Sequence, residues 1–140
     1  MRAIRDAEGF DPRLSLVAEV GGAVVGHILL SPCAIELDAG GEIPALALAP
    51  LAVHPDHQGK GIGGALIRAS LDRAKELGHA IVIVLGEPAL YSKFGFKDAT
   101  DFGVRAPFDV PPGVFRVIRL DDDAAPIAGV VRYPKAFDSV

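Results

Sequence analysis

The sequence predicts an α/β (α+β) fold in one domain, whose sheet joins an antiparallel hairpin to a parallel βαβ unit. Three observations predict it. Two apolar runs flank Gly21-Gly22, the mark of a two-residue hairpin. The run from Ile43 to Val53 is apolar nearly throughout, as a strand buried on both faces must be. Between it and the apolar run Ala80 to Leu85 lies a stretch of helical spacing. Strand, helix, strand in that order makes the two strands parallel.

Each element can be justified in turn. Leu14 to Val20 (LSLVAEV) alternates, and Ala23 to Leu30 is its hairpin partner, stopped by Ser31-Pro32. A third strand, Cys33 to Leu37, runs into the turn Asp38-Ala39-Gly40-Gly41. After the central strand, Ile62, Leu66, Ala69, Ala74 and Leu77 recur at helical spacing, and Gly78 provides a C-terminal stop. Pro88 to Lys93 reads as a short helix with proline in its first turn. The remainder is rich in proline, with strands at Phe115 to Leu120 and Gly129 to Val131.

Bulk properties narrow the function classes. The chain has 140 residues, half of them apolar and 23% charged, with a net charge of −4. Lys and Arg are scattered, so no basic face for nucleic acid forms. Cys33 is the single cysteine, which rules out an internal disulfide or a cysteine zinc site and fits a reducing compartment. No window has the length of a membrane span, and charges rather than an apolar leader core follow Met1. The expected location is the cytoplasm.

The chemistry-bearing segment is Gln58-Gly59-Lys60-Gly61-Ile62-Gly63-Gly64. Glycines there remove side chains where a ligand approaches the backbone. The amides open a helix N-terminus, which carries about half a positive charge. Together they form a pyrophosphate cradle, with Lys60 adding a cation. A glycine cluster is as often a plain surface loop; a buried strand before it and an amphipathic helix after it tilt the balance. Gly59, Gly61 and Gly64 satisfy G-x-G-x-x-G, with Glu87 further on, so a dinucleotide fold is weighed. Against it, a polar segment containing Pro55 separates the glycines from their strand, and little helix signal follows Glu87. A P-loop fails because no Gly-Lys-Ser/Thr closes the cluster.

These residues resemble the GNAT acetyltransferases. Gln58-Gly59-Lys60-Gly61-Ile62-Gly63 matches the family's Q/R-x-x-G-x-G/A coenzyme A signature, and Val53-His54-Pro55 resembles the usual approach from the fourth strand. Ala89-Leu90-Tyr91-Ser92-Lys93-Phe94-Gly95-Phe96 is similar to the second motif, a tyrosine ahead of a Gly-Phe pair. The resemblance covers roughly residues 14 to 100. Ala49-Pro50-Leu51-Ala52-Val53 and Gly86-Glu87-Pro88-Ala89-Leu90-Tyr91 resemble a bacterial branch of predicted acetyltransferases. The resemblance implies a GNAT-type mixed, mostly antiparallel twisted sheet with a central parallel βαβ splay and flanking helices. It also implies acetyl-coenzyme A as cosubstrate, an amine acceptor and no metal. Carried onto this chain, its coenzyme-binding residues are Leu51, Ala52, Val53, Gln58, Gly59, Lys60, Gly61, Ile62, Gly63 and Gly64.

Pro50 lies inside the run read as the central strand. Proline cannot donate to a sheet ladder, so pairing of the central strand should break near it. Leu51 and Val53 then need other backbone partners, which the two amides of pantetheine can supply. The resemblance implies that a backbone amide near Leu51 stabilises the developing oxyanion. It also implies that Tyr91 protonates the departing thiolate, a role suited to a phenol of pKa near 10. The alternative for Tyr91 is a packed ring with its hydroxyl on water.

The base stays open. Where some relatives place a glutamate, this chain has Ala47 or a near neighbour; His27, Glu36, Glu42, His54 or a water chain are the replacements. Cys33 is expected to pack rather than to carry an acetyl group. Family domains open with a strand and one or two helices ahead of the hairpin, and here the first strand and most of the first helix are expected to be missing. A short natural variant, a mis-started reading frame and a homodimer that completes its cleft each explain that. Two functions follow: an N-acetyltransferase acting on a primary amine of a small molecule or protein, or a non-catalytic acyl-coenzyme A binding module.

Overall fold

The computed structural model describes residues 2–6, 12–121 and 125–133. They form two compact units, Met1–Ser31 with Leu48–Gly78, and Pro32–Ala47 with His79–Val140. Two strands, Ala23–Leu37 and Glu42–Val53, contribute to both.

In the first unit, β1 (Arg2–Asp6) lies antiparallel to β2 (Ser15–Val20), with Arg2 opposite Val20 and Asp6 opposite Leu16. This corrects the expectation that the N-terminal strand is missing. The five-residue run has no clean alternation to announce it, and only pairing with β2 makes it a strand. Residues 7–11, where a helix would follow, lie outside the described residues.

β2 turns into β3 (Ala23–Leu37) through Gly21 and Gly22, both at positive φ (59° and 85°). That is the backbone a two-residue hairpin demands. β3 is a single strand where two were expected, so Ser31-Pro32 does not stop it. The reason lies in the register: β2 pairs with β3 as far as Leu29, and another strand takes up the pairing only at Ala34. Pro32 falls in the gap, where its missing N–H breaks no ladder bond on that side.

β4 (Glu42–Val53) is the long apolar strand, and the N–H of His54 just beyond it donates to Val25 O at 2.6 Å. Helix α1 (Ile62–Glu76) buries Ile62, Leu66, Ile67, Leu71 and Ala74. It lies so close to the sheet that a Cβ on Gly26 would sit 3.0 Å from Leu66 Cδ1 and 3.2 Å from Ile62 Cγ2. Ser70, also on this face, satisfies its hydroxyl on Ile67 O at 2.8 Å. The helix stops at Gly78 as expected, with φ at 87° and Arg73 and Lys75 in the last turn.

The second unit contains the β3–β4 turn, where Leu37 N–H donates to Gly41 O at 2.9 Å. Its other elements are β5 (Ile81–Leu85), α2 (Pro88–Ser92), β6 (Lys97–Asp98), β7 (Val104–Arg105), β8 (Phe115–Arg119) and β9 (Gly129–Arg132). The strand order is β4-β5-β8-β6, while β9 joins β3 to β7. β5 is parallel to β4 and antiparallel to β8, the mixed and mostly antiparallel sheet that the resemblance implies. Ile35, Ala47, Ile83, Phe102, Val117 and Val131 lie in its core. Closing β9 onto β3 requires a glycine, because a Cβ on Gly129 would lie 2.5 Å from Glu36 O.

Candidate functional site

Within the second unit, β4 pairs with β5 at only two positions, Leu46 with Val82 and Ala47 with Ile83. β5 continues against β8 to Leu85, and β4 continues to Val53. The pairing thus ends three residues ahead of Pro50, earlier than the proline alone requires. Burial changes at the same point. Ala45 to Leu48 are buried, whereas Ala49, Pro50 and Ala52 are exposed despite their apolar character. The strand was expected to be buried along its whole length; only Ala45 to Leu48 are. The Ala49–Pro50 peptide is cis.

Beyond β4 the chain makes a short 3-10 turn, Pro55–His57. His54 accepts a hydrogen bond from Asp56 N–H at 3.2 Å through Nδ1, and thereby caps that turn. Gln58 turns back instead of outward: its side-chain amide donates to Val53 O at 3.1 Å, closing the last carbonyl of the strand. Gly59 and Gly61 then adopt left-handed backbone, at φ 77° and 79°. L side chains rarely take up that conformation.

Gly61 is the N-cap of α1, and no side chain caps the helix. The first intrahelical bond runs from Ala65 N–H to Gly61 O at 3.0 Å, so the amides of Ile62, Gly63 and Gly64 precede the ladder. The first turn holds no acidic residue. Space is open above it: a Cβ on Gly59 would meet nothing within 4 Å, and one on Gly63 only Val53 Cγ2 at 3.8 Å. Lys60 is exposed at the same loop. Of the predicted residues, the first unit therefore gathers Leu51, Ala52, Val53, Gln58, Gly59, Lys60, Gly61, Ile62, Gly63 and Gly64 along one continuous strand-to-helix segment.

Tyr91 belongs to the second unit, on α2. It is buried, with 6% of its surface exposed, and burial raises its phenol above the ordinary tyrosine value. The ring meets the edge of Phe96 at 5.5 Å between centroids and an interplanar angle of 73°. Phe96 N–H donates to Tyr91 O at 3.3 Å, and Phe96 O accepts from the Arg116 guanidinium at 3.3 Å. The ring also lies against Gly86, where a Cβ would come 2.5 Å from Tyr91 Cε2. The sequence reading missed Arg116 altogether, and it held Gly86 and Phe96 only as motif letters, without their contacts to the ring. Gly86 is visible in the sequence only as one letter of a family-like string, and nothing in its spacing reveals a ring beside it.

The candidate bases are occupied. Glu36 and Glu42 both pair with Arg132, Glu36 at 3.2 Å. His27 Nε2 lies 3.0 Å from the buried Ser15 hydroxyl, and His54 caps its turn. Ala47 is 3% exposed and apolar. Burial pushes the Cys33 thiol up to about 12, which leaves roughly one thiolate in 10⁵ at neutral pH. An acetyl relay through Cys33 is disfavoured on that ground. A cavity of about 450 Å³ opens in the second unit around Thr100, Phe108 and Pro112; none of the predicted residues lines it. Among the described residues no helix is long and apolar enough to cross a membrane.

Residues 11–98 match the acetyltransferase (GNAT) domain family, and the chain belongs to the GNAT superfamily of acetyltransferases. It is similar to the uncharacterized N-acetyltransferase YhbS of Escherichia coli K12, 37% identical over 127 residues that cover 89% of this chain and 74% of that protein. The crystal structure of E. coli YhbS in complex with CoA superposes with a TM-score of 0.83, covering 98% of this chain and 92% of that one at 28% identity. A GNAT family acetyltransferase from Brucella melitensis, solved in complex with acetyl-CoA, gives a TM-score of 0.68 at 36% identity. It covers 89% of this chain and 68% of that one.

Proposed function

We propose that the 140 residues act as one N-acetyltransferase domain that moves an acetyl group from acetyl-coenzyme A to a primary amine of a small molecule or protein. The amine attacks the thioester directly. The observation that carries this reading is the start of α1. Gly61 holds left-handed backbone there, three amides precede the helical ladder, and neither a capping side chain nor an acidic residue competes for them. Such a terminus attracts a pyrophosphate, and coenzyme A carries one. The complexes of YhbS with CoA and of the Brucella protein with acetyl-CoA support the same ligand.

Leu51, Ala52 and Val53 offer backbone groups to the pantetheine amides, and Gln58 to Gly64 take the pyrophosphate. Gln58 acts in this by closing the end of β4. A backbone amide near Leu51 receives the developing oxyanion, and Tyr91 gives its proton to the departing thiolate. A phenol held above its ordinary value stays protonated at neutral pH. The proton of the amine leaves through water, a reading supported by the pairing of each candidate acid and histidine with another group. A thioester is already activated, so the reaction requires no metal. The coenzyme pool it draws on is cytoplasmic, and a homodimer is the assembly that light scattering should detect.

Calorimetry with coenzyme A, followed by thiol release from acetyl-coenzyme A across a panel of amines, tests the proposal. Binding with turnover supports it. Binding without turnover on any acceptor favours the acyl-coenzyme A binding module, and no binding removes both. Tyr91→Phe should lower kcat roughly 10²-fold and leave coenzyme affinity unchanged; unaltered turnover takes the acid role away from Tyr91.

A further inference from the structure

We propose that Gly86 is a positioning residue for Tyr91: its missing side chain is the space the phenol ring occupies, so it sets where the hydroxyl points. This rests on Tyr91 as the acid proposed above. A Cβ built on Gly86 would lie 2.5 Å from Tyr91 Cε2, 3.2 Å from Cδ2 and 3.4 Å from Cζ. Real side chains do not approach a ring that closely. Gly86 φ is not in the left-handed region, so its backbone would accept alanine. The nearest obstacle to a side chain is the ring, whose atoms are the three closest to that Cβ.

Neither partner can yield easily. The Gly86 amide donates to Val114 O at 2.9 Å, which ties the turn after β5 to the segment leading into β8. Glu87 caps α2 through its carboxylate on Ala89 N–H, and Pro88 starts the helix. Both Phe94 and Phe96 donate their amides to Tyr91 O, at 3.0 and 3.3 Å, which fixes the C-terminal side. The ring is therefore in contact with both the Gly86 backbone and the Phe96 ring. The added methyl of Gly86→Ala must turn the phenol out of this slot, towards solvent.

The chain contains two tyrosines and no tryptophan, so a Tyr133→Phe background leaves Tyr91 as its one ultraviolet-absorbing phenol. In that background the phenol of Tyr91 should titrate above the ordinary tyrosine range, and Gly86→Ala should bring it down towards that range. In the kinetic arm, Gly86→Ala should cost kcat about as much as Tyr91→Phe, with coenzyme affinity held within about twofold, and add no further loss on top of Tyr91→Phe. If Gly86→Ala fails to fold, Gly86→Ala with Tyr91→Ala should melt at the same temperature as Tyr91→Ala alone, because the clash has been removed.

An unchanged phenol titration in folded Gly86→Ala overturns the proposal, as does a stability loss that persists without the ring. A shifted titration with normal turnover in Tyr91→Phe keeps the placement of the ring by Gly86 and removes only the acid reading.

Discussion

Replacing Gly63 by Asp separates the stability of α1 from its proposed use, because the two should move in opposite directions. Gly63 is the second residue of α1 and has helical backbone, with Val53 Cγ2 3.8 Å from the site of a Cβ. A side chain fits there without strain. For stability, exchanging glycine for an ordinary helix residue recovers about 0.5 kcal/mol, and a carboxylate in the first turn adds roughly 0.5 kcal/mol against the helix dipole. The sum of about 1 kcal/mol should raise Tm by roughly 3 °C. For binding, a carboxylate at this position would repel a phosphate on the same amides, and a separation of about 5 Å is assumed. Coulomb's law with an effective dielectric near 20 gives roughly 3 kcal/mol of repulsion, or about two orders of magnitude in Kd. Thermal melting and calorimetry with coenzyme A measure the two effects, with Gly63→Asn as the uncharged control and pantetheine as a ligand lacking the pyrophosphate. A stabilised Gly63→Asp protein that binds coenzyme A as tightly as the parent would refute the cradle at α1.

Two further outcomes test the packing and the titrations. Gly129→Ala must push against Glu36 O and Ile35 Cγ2, where its Cβ would sit at 2.5 and 2.7 Å; it should cost roughly 2 kcal/mol in urea unfolding, and a neutral result denies the tight β3–β9 closure. Cys33 and Tyr133 both titrate up to about 12 in the folded protein. Raised values mean that the folded chain holds protons the unfolded chain has lost, so their stabilisation is complete below about pH 9 and fades as pH climbs towards 12. Cys33→Ala should flatten that alkaline decline, as followed by urea midpoints across the range.

Much of the architecture was legible because its signals are local. The glycine pair at Gly21-Gly22, the helical spacing from Ile62 and the stop at Gly78 depend on a few consecutive residues. The structure repeats them nearly position for position. Elements that depend on distant partners were not legible. β1 exists through its pairing with β2, and β6 and β7 have two residues each, too few to show a period. The continuity of β3 through Pro32 follows from where β2 ends and β9 begins. Each of these is a property of the register, which no window of sequence contains.

The same division holds for the candidate site. Sequence alone determined the glycine-rich segment from Gln58 to Gly64 and its place between an apolar strand and a helix, because backbone freedom and helix polarity are written in single residues. Only the tertiary structure decided that β4 leaves β5 after Ala47 and that Gln58 folds back on Val53. It likewise decided that Glu36, Glu42, His27 and His54 are engaged elsewhere, and that Gly86 is the slot for Tyr91. Those facts concern which atoms lie within a few ångströms of each other, and packing between distant segments sets such distances.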